Sequence, residues 1–214
     1  MQIPATQVVF LRRNEATAEG MKAALATAAS RAQAGGNVWF VFIGHGAPSA
    51  KRSDDDVIEG VLAGWDTQAT TESLSSRGLR HSEALEILET SAATPVLIFD
   101  ACFSGQSNKG KPLVPDTQPV LESKIPSGQR SIVMTASGPN EYAGALPGRS
   151  RPAFSYLVLG ALYGWGDTNK DGSVTAGEAV GYARDTMQAL VKGRTQTPNI
   201  YGSAGDLSLV RGAG

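Results

Sequence analysis

Two nearly unbroken apolar runs constrain the fold of this chain more than any other feature. The first, NVWFVFIGHG, spans 37–46 and the second, PVLIFDACFSG, spans 95–105, and both end in small residues. Runs without polar alternation are typical of strands that are covered on both faces, as in parallel sheets. A shorter run of the same kind, SIVMTAS, spans 131–137. Together the three runs predict a buried and mostly parallel central sheet.

Helical patterns alternate with these strands. Residues 16–34 are rich in alanine, with Thr17 as a candidate N-cap and two glycines as the stop signal. Further helices are expected at 81–92, 154–165 and 176–192, and short strands at 7–12 and within 199–210. The polar stretch 47–80 and the aperiodic stretch 106–128 are expected to be loops. This alternation predicts a single α/β domain over 1–214, with helices on both faces of the sheet.

Composition and charge exclude several classes of function. Hydrophobic residues make up 41% and charged residues 18% of the chain, as in globular proteins. The net charge of −1 gives no broad attraction to nucleic acid or to anionic membranes. No run of about 18 apolar residues is present, so a membrane span is not expected. The N-terminus lacks the features of a secretory signal, so a cytoplasmic location is expected.

Cysteine and histidine are scarce, which limits the possible nucleophilic sites. Cys102 is the only cysteine, and the two histidines are His45 and His81. A disulfide within the chain and a cysteine-rich zinc site are therefore excluded. His45 and Cys102 end consecutive buried strands, and ligands gather at the carboxyl ends of such strands. A thiolate with a nearby imidazole is a catalytic pair, so we expect the two side chains to share one site.

Glycines surround both candidate residues. Gly44 and Gly46 flank His45, and Gly105 follows Cys102 closely, which leaves backbone N–H groups free to face an oxyanion. Taken singly, a cysteine after an apolar strand is often a small core residue, and a histidine at a strand end is often structural. Their joint position on one rim favours catalysis. His81 is the weaker partner because it begins a helix among charged residues.

The segments VWFVFIGHG and VLIFDACFSG resemble the two signature segments of the caspase and metacaspase superfamily of cysteine peptidases. There, one strand ends in His-Gly and the next core strand ends in Asp-x-Cys-x-Ser-Gly or a related form. His45 precedes Cys102 by 57 residues, close to the spacing of about 50 in caspases. The later TAS at 135–137 and the helix start AFSYLVLGAL resemble bacterial members. The resemblance covers most of the chain and implies a caspase-like sandwich.

The resemblance also implies roles for individual residues. Cys102 would attack the scissile carbonyl, and His45 would protonate the leaving amine. The backbone N–H groups of Gly46 and Cys102 would form the oxyanion hole. The FDA before Cys102 is closer to metacaspases and bacterial relatives than to true caspases, and Phe103 stands where many members have a second histidine.

The family core begins with a strand and a helix upstream of the segment that Val8–Leu11 resembles, and residues 1–214 lack an equivalent of them. A sheet edge would then be open to a partner chain.

Asp100 is the candidate specificity residue. It lies two positions before Cys102, so on an extended strand both side chains point to the same face. A carboxylate in a primary pocket selects Arg or Lys, and the resemblance implies an aspartate with this role in metacaspases. The alternative is that Asp100 only caps local backbone N–H groups.

A second motif lies near the C-terminus. DTNKDGSVTAGE at 167–178 matches the twelve-residue EF-hand loop and has helical patterns on both sides. The expected Ca²⁺ ligands are Asp167, Asn169, Asp171, the carbonyl of Ser173, Thr175 and Glu178. The alternative is a turn with a capping box between the last two of these residues.

The sequence thus predicts a cysteine endopeptidase that cuts protein or peptide substrates after Arg or Lys, with calcium as a candidate regulator. The alternative is a catalytically silent caspase-like module that binds calcium or a partner. An unrelated serine hydrolase is disfavoured because Ser104 lies outside a Gly-x-Ser-x-Gly elbow.

Overall fold

The computed structural model describes residues 3–49, 58–103, 105, 114, 130–138, 141–202 and 205–211. The α-helices of these residues are α1 (Ala18–Arg31), α2 (Thr71–Arg77), α3 (His81–Glu89), α4 (Ala153–Gly160) and α5 (Ala176–Leu190). The strands are β1 (Asn37–Ile43), β2 (Gly46–Pro48), β3 (Gly60–Ala63), β4 (Gly78–Arg80), β5 (Thr94–Asp100), β6 (Ile132–Thr135), β7 (Ser173–Thr175), β8 (Asn199–Tyr201) and β9 (Ser208–Arg211).

The central sheet has the strand order β1-β5-β6-β8. β1, β5 and β6 are parallel, and β8 pairs antiparallel with β6. The three parallel strands are the three apolar runs of the sequence. The α/β prediction with a mostly parallel central sheet is therefore confirmed.

Both faces of this sheet are covered, which explains why its strands carry so few polar residues. Val96 and Ile98 of β5 point toward a core shared with α4 and α5. Leu97 and Phe99 of the same strand point to the opposite core, which is shared with α1 and α3. Successive side chains of a strand alternate between its faces, so one strand supplies both cores.

Local capping signals set the starts of two helices. Thr17 precedes α1, and its Oγ1 accepts a hydrogen bond from Gly20 N at 3.1 Å. Thr175 precedes α5 and forms a reciprocal capping box with Glu178. The expected helices at 16–34 and 176–192 are present, each shorter by a few residues.

The stretch 47–80, expected to be a loop, contains a small antiparallel sheet with the order β2-β3-β4. It begins at Gly46, directly after His45, and α2 packs beside it. Val61, Leu62 and Leu79 of this sheet are buried. Residues 50–57 lie outside the described part of the chain.

The prediction of a strand at 7–12 is wrong. A 3₁₀ turn spans Ala5–Gln7, and 8–12 have no regular structure. A β-branched run becomes a strand only when a neighbouring strand completes its hydrogen bonds, and within the described residues none pairs with this segment. The side chains of Val8, Val9 and Phe10 are exposed as a result.

Two further elements differ from the sequence prediction. The helix expected at 154–165 ends at Gly160 and continues as one wider π turn, which Gly164 closes with a φ of 107°. The tail, expected to add one edge strand, provides two. β8 joins the central sheet, whereas β9 pairs with β7 in a separate two-stranded sheet.

The outer edge of β1 has no strand paired with it among the described residues. The exposed fractions of Val41 and Ile43 on this strand are 51% and 55%. An apolar cavity of about 310 Å³ lies between these side chains and α4. Of the helices that the structure describes, none is both long and apolar enough to cross a membrane.

Candidate active site

The register of β1 and β5 brings the two candidate catalytic residues to one rim of the sheet. Ile43 lies opposite Asp100 in the parallel ladder, and Gly44 N donates to Asp100 O at 3.3 Å just beyond it. His45 and Cys102 each lie two residues past this pair, at matching positions on adjacent strands. Neighbouring strands are about 4.8 Å apart. The exposed His45 and the largely buried Cys102 thus occupy adjacent strand ends.

Two hydrogen bonds connect the thiol of Cys102 to the main chain of Ala143. The Ala143 amide donates to Sγ at 3.1 Å, and Sγ–H donates to the Ala143 carbonyl at 3.3 Å. Burial raises the pKa of the Cys102 thiol, and the nearby Asp100 carboxylate raises it further. The Ala143 amide and the Arg194 guanidinium act in the opposite direction. The thiol is therefore held protonated, as a donor.

Ala143 belongs to a segment, residues 141–146, that we call the strap. The Glu141 carboxylate anchors one end because it accepts from Gly138 N at 3.0 Å and from Thr197 Oγ1 at 2.9 Å. Gln196 anchors the middle, where its Oε1 accepts from Gly144 N at 3.2 Å.

The same Gln196 side chain donates from Nε2 to Ala136 O, directly after β6. Arg194 Nη2 donates to Ala145 O at 2.8 Å. A buried polar network from the C-terminal part of the chain thus holds the strap over the thiol.

Gly46, the candidate oxyanion-hole residue, lies in close contact with the main chain of Cys102. A Cβ at this position would be 2.9 Å from Cys102 O and 2.6 Å from Cε1 of the buried Phe103 ring. Both distances are too short for a side chain, so this approach requires glycine. The preceding carbonyl, His45 O, accepts from Ala63 N at 2.9 Å. The backbone of β2 is therefore fixed against the turn that carries Cys102.

Asp100 is 5% exposed and lies at the last position of β5. Its Oδ2 accepts two hydrogen bonds from Ser155, one from the backbone N at 2.8 Å and one from Oγ at 2.7 Å. Burial raises the pKa of Asp100, while the bonds from Ser155 and the positive charge of Arg194 lower it. Asp100 thus caps the first turn of α4, 55 residues further along the chain, which differs from the cap of local backbone N–H groups considered in the sequence.

His81 is enclosed in the core. Its ring stacks on Phe99 at a centroid distance of 4.2 Å and meets the edge of Phe103 at 4.4 Å. Neither ring nitrogen has a hydrogen-bond partner among the described residues. Burial lowers the pKa of His81 to about 3, so the ring is neutral. Of the two histidines, His45 is therefore the one that is exposed at the rim of the sheet.

Comparison with known proteins identifies the family. A family model described as the caspase domain matches residues 6–205. The chain belongs to the caspase-domain family. Its fold is similar to the crystal structure of protein GSU0716 from Geobacter sulfurreducens, with a TM-score of 0.60 and 16% sequence identity. The match covers 92% of this chain and 77% of the other. No curated protein gives a significant sequence match.

The candidate calcium loop of this caspase-domain protein is a compact turn. Gly172, at the sixth position, has a φ of 80°, which favours glycine at the sharp bend. Asp167 Oδ2 accepts from Gly172 N at 3.0 Å, and Asp171 Oδ1 accepts from Ser173 N at 2.8 Å. Asn169 Oδ1 accepts from Asp171 N at 2.9 Å. In the first half of the loop, the side-chain oxygens thus accept hydrogen bonds from the backbone N–H groups of the loop itself.

The second half of the loop uses its acidic residue differently. Glu178 Oε2 accepts from Thr175 N and Oγ1, and Oε1 accepts from Thr168 Oγ1. The hydrogen bond from the Thr175 backbone N–H lowers the pKa of Glu178. The capping box considered in the sequence is therefore present. Among the described residues, no group of three or more His, Cys, Asp or Glu side chains is arranged to hold a metal ion.

Sequence reasoning missed several residues of this caspase-domain site. Ala143 contacts the thiol through its main chain, which carries no sequence signal. Gln196, Arg194 and Glu141 are ordinary polar residues in irregular segments, and only the fold brings them to the strap. Ser155 was visible as the third residue of the AFS helix start, but its contact with Asp100 depends on how α4 packs against β5.

Proposed function

We propose that this caspase-domain protein is a cysteine endopeptidase that cuts proteins after Arg or Lys. The observation that carries the proposal is the register of β1 and β5, which supports a Cys102–His45 pair at one sheet rim. The exposure of His45 and the enclosure of His81 favour His45 as the partner.

The proposed reaction proceeds in two steps. Sγ of Cys102 attacks the scissile carbonyl carbon as the proton of the thiol passes to His45, and His45 donates that proton to the leaving amine as the C–N bond breaks. The negative charge on the carbonyl oxygen is stabilised by the N–H groups of Gly46 and Cys102. Water then attacks the thioester, which releases the new carboxyl end and restores the thiol. Substrate must first separate Sγ from Ala143, because a thiol that donates to a carbonyl is a poor nucleophile.

Asp100 is the proposed determinant of the basic P1 preference. Its carboxylate is close enough to the thiol to affect the pKa of Cys102. Arg194 lies nearby, yet no ion pair within 4 Å joins it to Asp100 in the described part of the chain. The Arg194 guanidinium is instead bonded to Ala145 O and Gln196 Oε1. An incoming Arg or Lys side chain would supply the direct counter-charge for the carboxylate.

Release of a fluorophore from peptides with Arg, citrulline or Asp at P1 tests this proposal. Wild-type protein should cleave the Arg peptide in preference to the other two, and Cys102→Ala should abolish the signal. His45→Ala should lower kcat/KM by about 10²- to 10⁴-fold. His81→Leu is the matched control and should keep the activity. Equal loss in both histidine variants, or a signal that survives Cys102→Ala, would contradict the proposal.

A calcium role for the loop at 167–178 is a further part of the proposal. Its donor set of carboxylate, amide, hydroxyl and carbonyl oxygens suits Ca²⁺, and Gly172 has the conformation that such a loop needs. The Glu178 carboxylate would have to give up its hydrogen bonds from Thr175 and Thr168 to serve as a ligand. β7, which lies inside the loop, pairs with β9 of the same chain and restrains the loop. This favours a structural role for a bound ion over a sensor role.

Titration calorimetry with Ca²⁺ tests this loop directly. We expect a heat of binding in the wild type that Asp171→Ala removes and Asp185→Ala, on the exposed surface of α5, retains. Absence of calcium heat in wild-type protein would reject the site without affecting the peptidase proposal.

The second candidate function is a silent partner-binding module. It is favoured by the outer edge of β1, which pairs with no strand of the described residues and where exposed Val41 and Ile43 border the apolar cavity. β1 carries no charged side chain, so the matching occupant is an extended apolar segment of a partner protein that adds a strand. Folded protein without Cys102-dependent cleavage, but with binding of apolar extended peptides that Val41→Lys prevents, would favour this function over the peptidase.

A further inference from the structure

Ser155 contacts the candidate specificity residue through two of its own atoms. It is the third residue of α4, and its backbone N and its Oγ both donate to Oδ2 of Asp100. The N-cap of this helix, Pro152, makes no side-chain capping bond. Asp100 therefore replaces the missing cap, and α4 in turn holds the carboxylate from one side.

The two bonds to one oxygen fix the orientation of the carboxylate. An aspartate side chain has two torsions, and two donors from a single helical turn restrain both of them. Among the described residues no group donates to the other oxygen, Oδ1. The arrangement thus decides which carboxylate oxygen α4 holds.

The backbone and side-chain bonds differ in what they require of the sequence. Any residue except proline would supply the N–H, whereas the second donor at 2.7 Å requires a side chain that carries a donor, here the Ser155 hydroxyl. A short bond from a hydroxyl to a carboxylate belongs to the stronger class of hydrogen bonds. The hydroxyl of Ser155 is therefore the part of this contact that depends on the residue type and that a substitution can remove.

We propose that Ser155 is a positioning residue for substrate recognition, whose hydroxyl orients Asp100 so that Oδ1 meets the cationic end of an Arg or Lys side chain at P1. This rests on the proposed peptidase function with a basic preference. Ser155 itself touches neither the thiol nor the scissile bond in this assignment. Its loss should weaken recognition of the P1 charge and leave bond breaking largely intact.

The chain offers a matched control for this assignment. Ser82, near the start of α3, donates to the Glu59 carboxylate through both its N and its Oγ, each at 3.0 Å. This is a similar motif, although the two bonds go to different oxygens of Glu59, and its helix packs on the opposite core from α4. Ser155→Ala and Ser82→Ala therefore each remove one hydroxyl–carboxylate bond, but only the first involves Asp100, the carboxylate that affects the pKa of Cys102.

The experiment compares P1 Arg with P1 citrulline, which has nearly the same shape but no charge. Ser155→Ala should lower kcat/KM for the Arg peptide by about 10- to 100-fold, mainly through KM. The citrulline peptide should change much less. Ser155→Thr should keep the Arg preference. Ser155→Val, which has the shape of threonine but lacks the hydroxyl, should not. Ser82→Ala should leave the Arg-to-citrulline ratio at the wild-type value.

A binding measurement separates failure of this assignment from failure of the proposed function. In the Cys102→Ala protein, calorimetry with uncleaved Arg and citrulline peptides reports P1 recognition without turnover. Equal affinities for the two peptides would overturn the basic preference itself. An Arg preference that Asp100→Asn removes, and that survives in folded Ser155→Ala or Ser155→Val protein, would overturn the role of Ser155 alone. A ratio that falls equally in Ser82→Ala would show a general loss of stability and would also overturn it.

Discussion

The thiol of Cys102 and the main chain of Ala143 are joined by two hydrogen bonds that run in opposite directions. The amide donates to sulfur, and sulfur donates to the carbonyl. Only a protonated thiol satisfies both bonds, and burial raises the pKa of Cys102 in the same sense. The candidate nucleophile is therefore held as a protonated thiol beneath the strap, which substrate would have to displace in the proposed reaction.

The first prediction concerns alkylation of Cys102 by iodoacetamide. Because a raised pKa lowers the thiolate fraction at neutral pH, native protein should react more slowly at pH 7 than urea-unfolded protein. The rate should rise through a midpoint above the ordinary thiol pKa. Cys102 is the only cysteine, so mass spectrometry reports this site alone. A midpoint below pH 8 would contradict the protonated resting state.

The second prediction concerns the network that anchors the strap. Gln196→Ala removes the acceptor of Gly144 N, a partly buried bond, and the donor to Ala136 O, a buried one. Weaker anchoring should let the strap open more often and speed alkylation of Cys102 by about tenfold, with a lower Tm. Gln188→Ala, on the exposed face of α5, is the matched control. Equal alkylation rates in the two variants would show that the network does not hold the strap.

The third prediction concerns stability in mild acid. His81 has an ordinary pKa of 6.5 and a folded pKa of about 3. Between these values the unfolded chain binds a proton that the native state does not, so the free energy of unfolding falls as pH decreases. The slope from this group approaches about 1.4 kcal/mol per pH unit.

His81→Leu should reduce that slope between pH 6 and pH 4, because leucine has no proton to bind. It should also remove two buried ring nitrogens that lack partners. Urea unfolding at each pH measures the effect. His45→Ala, which removes the exposed histidine, is the matched control, and an equal flattening of the slope in both variants would refute this account.

The fourth prediction compares two glycines. Gly46→Ala places a Cβ against Cys102 O and the Phe103 ring, so it should lower the free energy of unfolding by about 1–3 kcal/mol and also reduce peptidase activity. Gly181→Ala lies in α5 with no heavy atom within 4 Å of the added Cβ. It should instead raise stability by about 0.5–1 kcal/mol. Thermal and urea unfolding measure both, and a neutral Gly46→Ala would show that the contact with Cys102 is not tight.

Much of the fold was predictable because its signals are local. The runs at 37–46, 95–105 and 131–137 became the parallel strands, and Thr17 caps α1 as its side chain predicts. The strand expected at 7–12 shows the limit of such signals. Its residues have β propensity, but a strand needs a neighbour to complete its hydrogen bonds, and propensity does not provide one.

The sequence by itself determined which residues of this protein could form a Cys–His pair, since it contains one cysteine and two histidines. It also indicated that His45 and Cys102 follow buried strands. Tertiary structure decided the rest. The β1–β5 register set the two residues at matching positions, and the folds of the strap and of α4 brought Ala143 to Sγ and Ser155 to Asp100. These contacts join residues some 40 to 55 positions apart in the chain, and periodicity and capping signals reach only about one turn of helix or one strand.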